Sequence, residues 1–187
     1  MILWTIKPAV VYEQIIESGV YRCNPALVES KDYVKSYLWL VRQMEKRIGP
    51  APKGVTLPVW AWYKIDGQRI KPDLRCERGS CGQDNEDYIC LEIEIPDQDV
   101  VLSDFDGWCA VLNNWLISYS REEDEMQKAV YKGLSDVEKE EYKDQNWQCI
   151  FDISPIENDW FIRGHWIQAT FWELKREQIR KATYYRA

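Results

Sequence analysis

Residues 88–115, YICLEIEIPDQDVVLSDFDGWCAVLNNW, carry the pattern on which the fold turns. Ile89, Leu91, Ile93 and Ile95 alternate with Cys90, Glu92 and Glu94. A period of two sends the aliphatics to one face of a strand and both carboxylates to the other. Pro96 has no N–H to donate and ends the ladder. Beyond Val100-Val101-Leu102, Ser103 is a helix N-cap by residue type. Asp104 and Asp106 then fall in the first helical turn, where the dipole favours negative charge. Phe105, Trp108, Leu112 and Trp115 recur at helical spacing, which predicts a helix packing all four rings and side chains on the sheet.

Outward from this stretch, 187 residues make one domain with room for a sizeable core. Hydrophobic residues at 45% with charged residues at 29% describe a folded chain, not a disordered one. Ten Trp and eleven Tyr against four Phe favour rings with a polar handle, useful both in cores and for stacking planar ligands. A net charge of −7 makes nucleic-acid binding over the whole surface unfavourable, and Lys175-Arg176 with Arg180-Lys181 is the one dense basic patch. His165 is the only histidine, and Cys76 and Cys81 match no zinc spacing, so unpaired thiols and no metal are expected. Without an apolar leader or a run of about 20 apolar residues, the expected location is the cytoplasm, with no membrane span.

Along the chain, Ile2–Ile6 reads as a buried strand and Pro8–Gly19 as a proline-led, glycine-ended helix. A short strand at Val20–Cys23 and a helix within Pro25–Arg47 follow, stopped by Gly49-Pro50. Leu57–Tyr63, the turn Asp66-Gly67 and Gln68–Arg75 read as a hairpin. Residues 121–146 form an acidic, solvated helical insertion, with Ser135 and Glu138 as a capping box. His165–Trp172 is a strand, Glu173–Ile179 a helical turn, and Ala182–Tyr185 a short last strand. The fold class is α+β: a single domain, residues 1–187, with an antiparallel or mixed sheet and helices inserted between strands.

The segments LWTIKP, PVWAWY with PDLR, LEIEIPDQDVVLSDFDGW and IQATFWELKREQI resemble an uncharacterised bacterial family defined only as a domain of unknown function. That resemblance spans nearly the whole chain and implies no activity. In layout the chain is also similar to ADP-ribosyltransferase-like folds of the DarT type. Thr5, Gly19, LEIEIP and Gln168–Glu173 fall in the order of that family's landmarks. The likeness implies such a scaffold with NAD or another nucleotide as ligand. Where the family carries its catalytic glutamate this chain has Thr170, and Glu173 would face the other side of a regular strand.

Three groups of residues are candidates for a ligand site. Glu92 and Glu94 share the polar face of their strand; a neighbouring hairpin strand carrying Arg69, Lys71 and Arg75 would set cations against them, with Arg75 gripping a phosphate or carboxylate. Asp104, Asp106 and Trp108 mark the SDFDGW junction. Trp60 and Trp62 share a strand face and would make an aromatic wall, with Trp4 nearby. The expectation is one cleft combining Trp60, Trp62, Arg75, Glu92, Glu94, Asp104, Asp106 and Trp108. No nucleophile–base pair and no phosphate-binding glycine motif is present, so the reading is binding of a small-molecule or nucleotide ligand, with no catalytic residue assigned. Two alternatives stand beside it. One is a PUA/ASCH-like module for RNA or a modified base, on the likeness of LWTIKPAVVYEQIIESG to the opening of such domains; the other is a protein–protein regulator of a phage or mobile element.

Overall fold

Strand β1 (Ile2–Pro8) is the middle of the sheet, and its neighbours come from distant parts of the sequence. In the computed structural model, which describes residues 1–27, 33–74 and 87–186, the order of the six-stranded sheet is β10-β4-β1-β3-β8-β5. The other members are β3 (Val59–Lys64), β4 (Asp87–Glu94), β5 (Val101–Asp104), β8 (Ile167–Phe171) and β10 (Ile179–Arg186). Every pairing is antiparallel. Two small ribbons pair β2 (Val20–Tyr21) with β9 (Leu174–Lys175) and β6 (Ile156–Glu157) with β7 (Ile162–Arg163). The described helices are α1 (Ala9–Ser18), α2 (Val34–Ile48), α3 (Phe105–Leu112), α4 (Arg121–Lys132) and α5 (Asp136–Asn146). The α+β class is therefore the observed one.

Alternation divides the sheet into two faces, each with its own core. One face presents Leu3, Val59, Ala61, Ile89, Leu91, Ile93, Ala169 and Phe171, and α1 lays Ile15, Val11 and Tyr12 on it. The other presents Val101 and Trp60 to a cluster built from α2, α3 and residues 147–151, where Trp39, Leu40, Met44, Trp108, Val111, Trp147 and Ile150 are buried. Gly19 ends α1 in the left-handed region (φ 81°), as the sequence predicts.

Four expectations are corrected. The N-cap of α3 is Asp104, not Ser103, because β5 stays paired with β8 as far as Asp104↔Ile167 and holds Ser103 in the ladder. Asp104 Oδ1 accepts from the Gly107 N–H at 2.9 Å and Oδ2 from the Gly164 N–H at 2.8 Å. Trp115 is not on the packed helix face: α3 ends at Leu112, Asn114 takes a positive φ of 59°, and Trp115 is 64% exposed. Asp66-Gly67 does turn the chain, with φ of 48° and 73°, but only Ile65 and Gln68 bridge. Residues 69–73 make no strand, since both edges of β3 are already taken by β1 and β8. Finally, Arg176–Gln178 is a 3-10 turn after β9, and β10 is a full-length strand pairing the outer edge of β4.

The acidic insertion is two capped helices, with Ser120 accepting from the Glu123 N–H and Ser135 and Glu138 forming the capping box. It is not wholly a solvated face. Asp144 accepts the Trp39 indole N–H at 2.7 Å, Lys143 donates to Asn114 at 2.7 Å, and Gln127 is buried.

Two stability measurements check this packing by urea unfolding. Trp108→Ala should cost about 3–5 kcal/mol, the usual range for a buried aromatic, whereas Trp115→Ala should stay within about 0.5 kcal/mol. Asp104→Ala should cost about 2–4 kcal/mol, because it strands two buried backbone N–H groups as well as removing the cap.

Candidate functional site

One register row crosses all six strands on the face that carries the indoles. Its members are Lys181, Glu92, Trp4, Trp62, Gln168 and Ser103, each the Cα partner of the next. Partners in an antiparallel ladder point the same way, so these side chains share a face. Three of the six carry a buried polar atom with no hydrogen-bond partner among the described residues: Trp4 Nε1, Gln168 Oε1 and Ser103 Oγ. Buried polar groups are nearly always satisfied, and leaving one bare costs on the order of 1–3 kcal/mol. Three of the four such atoms among the described residues fall in this one row, and the fourth, Gln43 Nε2, belongs to α2.

Aromatic rings flank the row. Trp62 meets Phe105 and Trp166 edge-on, with centroids 5.3 and 5.8 Å away. One step along β3, Trp60 lies 5.1 Å from Trp108, and Tyr37 of α2 stands edge-on to both. Trp62, Phe105, Trp166 and Gln168 are half-buried, so this wall reaches solvent. At its rim Asp106 is exposed, and partial desolvation and then the Asp104 carboxylate push its pKa up, with His165 opposing. His165 lies 3.7 Å from Glu157.

The candidate residues thus separate into three groups. Trp60, Trp62 and Trp108 come together as the aromatic wall, and Glu92 stands in the row beside Trp4. Glu94 does not join them: it pairs with Arg180 of β10, whose Nε donates at 2.7 Å. Asp104 is four strands from Glu94, about 19 Å at ordinary inter-strand spacing, and its oxygens are used by the α3 cap and Gly164. Asp106 stays at the rim, on the far side of Trp62 from Glu92. Arg75, Cys76 and Cys81 lie outside the described residues. The cations opposite Glu92 and Glu94 are Lys181 and Arg180, because the outer neighbour of β4 is β10 and not the hairpin.

Sequence reasoning missed Gln168 and Ser103, although a glutamine amid the apolar residues of β8 was a visible signal. It also missed Tyr37, Phe105 and Trp166 as parts of the wall. Thr170, at the position of the transferase glutamate, is buried and donates to the Val101 carbonyl at 3.3 Å. Glu173 lies beyond β8 and accepts from Arg22 Nε at 2.6 Å. Two of the four residues of the basic patch are engaged, with Arg180 on Glu94 and Arg176 donating to the Ile16 carbonyl.

A second polar cluster shows what a satisfied one looks like. The buried Arg163 donates to the Ser154 carbonyl and hydroxyl and to the Tyr119 hydroxyl, and pairs with Asp152 at 2.8 Å. Burial, and then a hydrogen bond to Cys149, push the Tyr119 phenol well up. Every part of that network has a partner, so it fastens residues 152–163 to the segment before α4. Among the described residues no group of three or more His, Cys, Asp or Glu side chains could hold a metal ion. No described helix is long and apolar enough to cross a membrane.

The raised Asp106 pKa has a sign that can be measured. A carboxyl whose folded pKa exceeds its unfolded value gives stability below the unfolded pKa that is lost as pH rises through the folded one. Asp106→Asn should therefore unfold at higher urea than the parent at pH 7, with the gap closing towards pH 4. A less stable variant at pH 7 would show instead that attraction to the α3 N-terminus outweighs desolvation.

No curated protein and no solved structure matches the chain. Residues 2–180 match the family described as Domain of unknown function (DUF3841), which fits the resemblance of its strand and helix signatures, and the chain belongs to that family.

Proposed function

We propose that this protein binds a nucleotide-type ligand, NAD or another base-containing molecule, on the aromatic face of the sheet, as a small-molecule-binding protein of the cytoplasm. The observation that carries the reading is the row Trp4–Trp62–Gln168–Ser103 with its three unpartnered buried polar atoms. A nucleobase edge offers neighbouring donors and acceptors, the complement of the Gln168 amide oxygen and the Ser103 hydroxyl on adjacent strands, while the Trp4 indole N–H, two strands from Gln168, would meet another part of the ligand. The half-buried Trp62, Phe105 and Trp166 add rings against which a planar group stacks. The order of Thr5, Gly19, LEIEIP and Gln168–Glu173, which resembles the landmarks of ADP-ribosyltransferase-like folds, points to the same ligand class. Catalysis is not part of the reading, because Thr170 replaces the transferase glutamate and is tied to the Val101 carbonyl.

Titration calorimetry and tryptophan fluorescence with NAD, adenine nucleotides, free bases and single-stranded RNA test the proposal. Binding tighter than millimolar to a nucleotide is expected. Gln168→Leu should weaken it at least about tenfold, the value of one hydrogen bond of roughly 1.4 kcal/mol, while raising the urea midpoint of the free protein. Salt-sensitive binding of RNA alone would favour the base-recognition module instead. If no probe binds, or Gln168→Leu binds as the parent does, the row is not a ligand site.

A further inference from the structure

Beyond the end of β4 the edge of the domain is hollow. Two cavities meet there, one of about 550 Å³ and a narrower one of about 190 Å³, and Ile95, Asp99, Lys175 and Gln178 line both. One wall is Ile95 with the turn Asp97–Asp99; the other is Lys175 with the 3-10 turn Arg176–Gln178. The narrow lobe runs in where the two cores meet. Ile95 and Phe171 of one core and Ile48 and Trp172 of the other close it, together with Pro52. Trp172 gives its indole N–H to the Gly49 carbonyl at 3.1 Å, so what it offers the lobe is ring. An apolar cavity of about 150 Å³ accepts a benzene molecule, so the narrow lobe has room for one aromatic or branched aliphatic group.

The charges around this cleft divide into matched and unmatched. Glu94 pairs with Arg180, Glu173 accepts from Arg22, and the Met1 amine donates to the Ile95 carbonyl and to Asp97. Asp99 and Lys175 face the join of the two lobes from opposite walls, and among the described residues neither forms an ion pair, with the other or elsewhere. Glu177, likewise unpaired, lines the wide lobe alone. Gln178 reinforces the positive wall. Its Oε1 accepts from the Lys175 backbone N–H at 2.7 Å, which leaves the amide NH₂ as a second donor beside that ammonium.

We propose that this cleft is a binding site for a free α-amino acid with a large apolar side chain. The Lys175 ammonium and the Gln178 amide take the ligand's carboxylate, and Asp99 takes its ammonium. The side chain fills the narrow lobe between Ile48, Phe171 and Trp172. An apolar hollow with a few convergent polar groups at its mouth is the usual form of a small-molecule site. Only a zwitterion answers both walls at once; an amine leaves Lys175 without a partner and an acid leaves Asp99 without one. The site is independent of the nucleotide reading, because it lies at the Phe171 end of β8, away from Gln168 and its row.

Titration calorimetry of the full chain with L-phenylalanine tests the proposal, beside three probes that each lack one feature. Phenethylamine has no carboxylate, 3-phenylpropionate no ammonium, and glycine no side chain. L-Phenylalanine should bind tighter than about 1 mM, and each of the three at least about tenfold more weakly. Lys175→Gln should weaken L-phenylalanine about tenfold and leave phenethylamine as it was. Asp99→Asn should weaken L-phenylalanine equally and leave 3-phenylpropionate as it was. Both side chains are exposed, so the urea midpoint should not move with either change. The probe series on the unaltered chain decides the matter without any variant. No binding of L-phenylalanine, equal binding of any one of the three probes, or L-phenylalanine binding indifferent to either substitution overturns the proposal.

Discussion

The register of β1 between β4 and β3 is the constraint on which the other contacts depend. Seven successive partners, from Ile2↔Glu94 to Pro8↔Tyr88, fix β1 against β4, and Trp4↔Trp62 fixes it against β3. Both faces of the sheet are built upon, one under α1 and the other under α2 and α3. A slip of one residue would move Leu3 to the indole face and Trp4 among the aliphatics. Such a slip would also break the hydrogen bond that the Thr5 hydroxyl donates to the Trp60 carbonyl at 2.8 Å.

Much of this was legible in the residues, and the reasons differ by element. The alternation of Ile89–Ile95 could be read because the two faces of β4 differ in chemistry and the period is short. Helix α1 could be read from the Gly19 that ends it and the start of α5 from the Ser135–Glu138 box, whereas α4 was read only from the run of charge. Strand partners could not. The Asp66-Gly67 turn is a local signal for a hairpin, yet which strands flank β3 is decided by β1 and β8, far away in sequence. The same long-range choice moved the α3 cap from Ser103 to Asp104, since both residues cap well and only the β5–β8 ladder selects between them.

The site was half legible for a related reason. Residue type announced the indoles, and alternation put Trp60 and Trp62 on one face. What makes the row unusual is an absence of partners, and that is a property of three dimensions. Gln168 and Ser103 are ordinary strand residues until their neighbours are known. Arg163 is the contrast: a buried guanidinium whose donors find Ser154, Tyr119 and Asp152 has a structural explanation complete in itself.

The place of β10 has a consequence for how the chain is made. β4 is among the most aliphatic strands of the sheet, and its outer edge is covered only when β10 arrives. During synthesis β1, β3 and β4 emerge long before residues 179–186, so a long, hydrophobic strand edge waits uncovered while the intervening helices form. An edge of that kind is a template for pairing with another nascent chain. The bulge where β10 meets β4, between Ile179 and Lys181, together with the charges of Arg180 and Lys181, makes the late strand a poor partner for anything but the edge it is shaped to close. Solubility in this fold is thus a matter of timing as well as of surface.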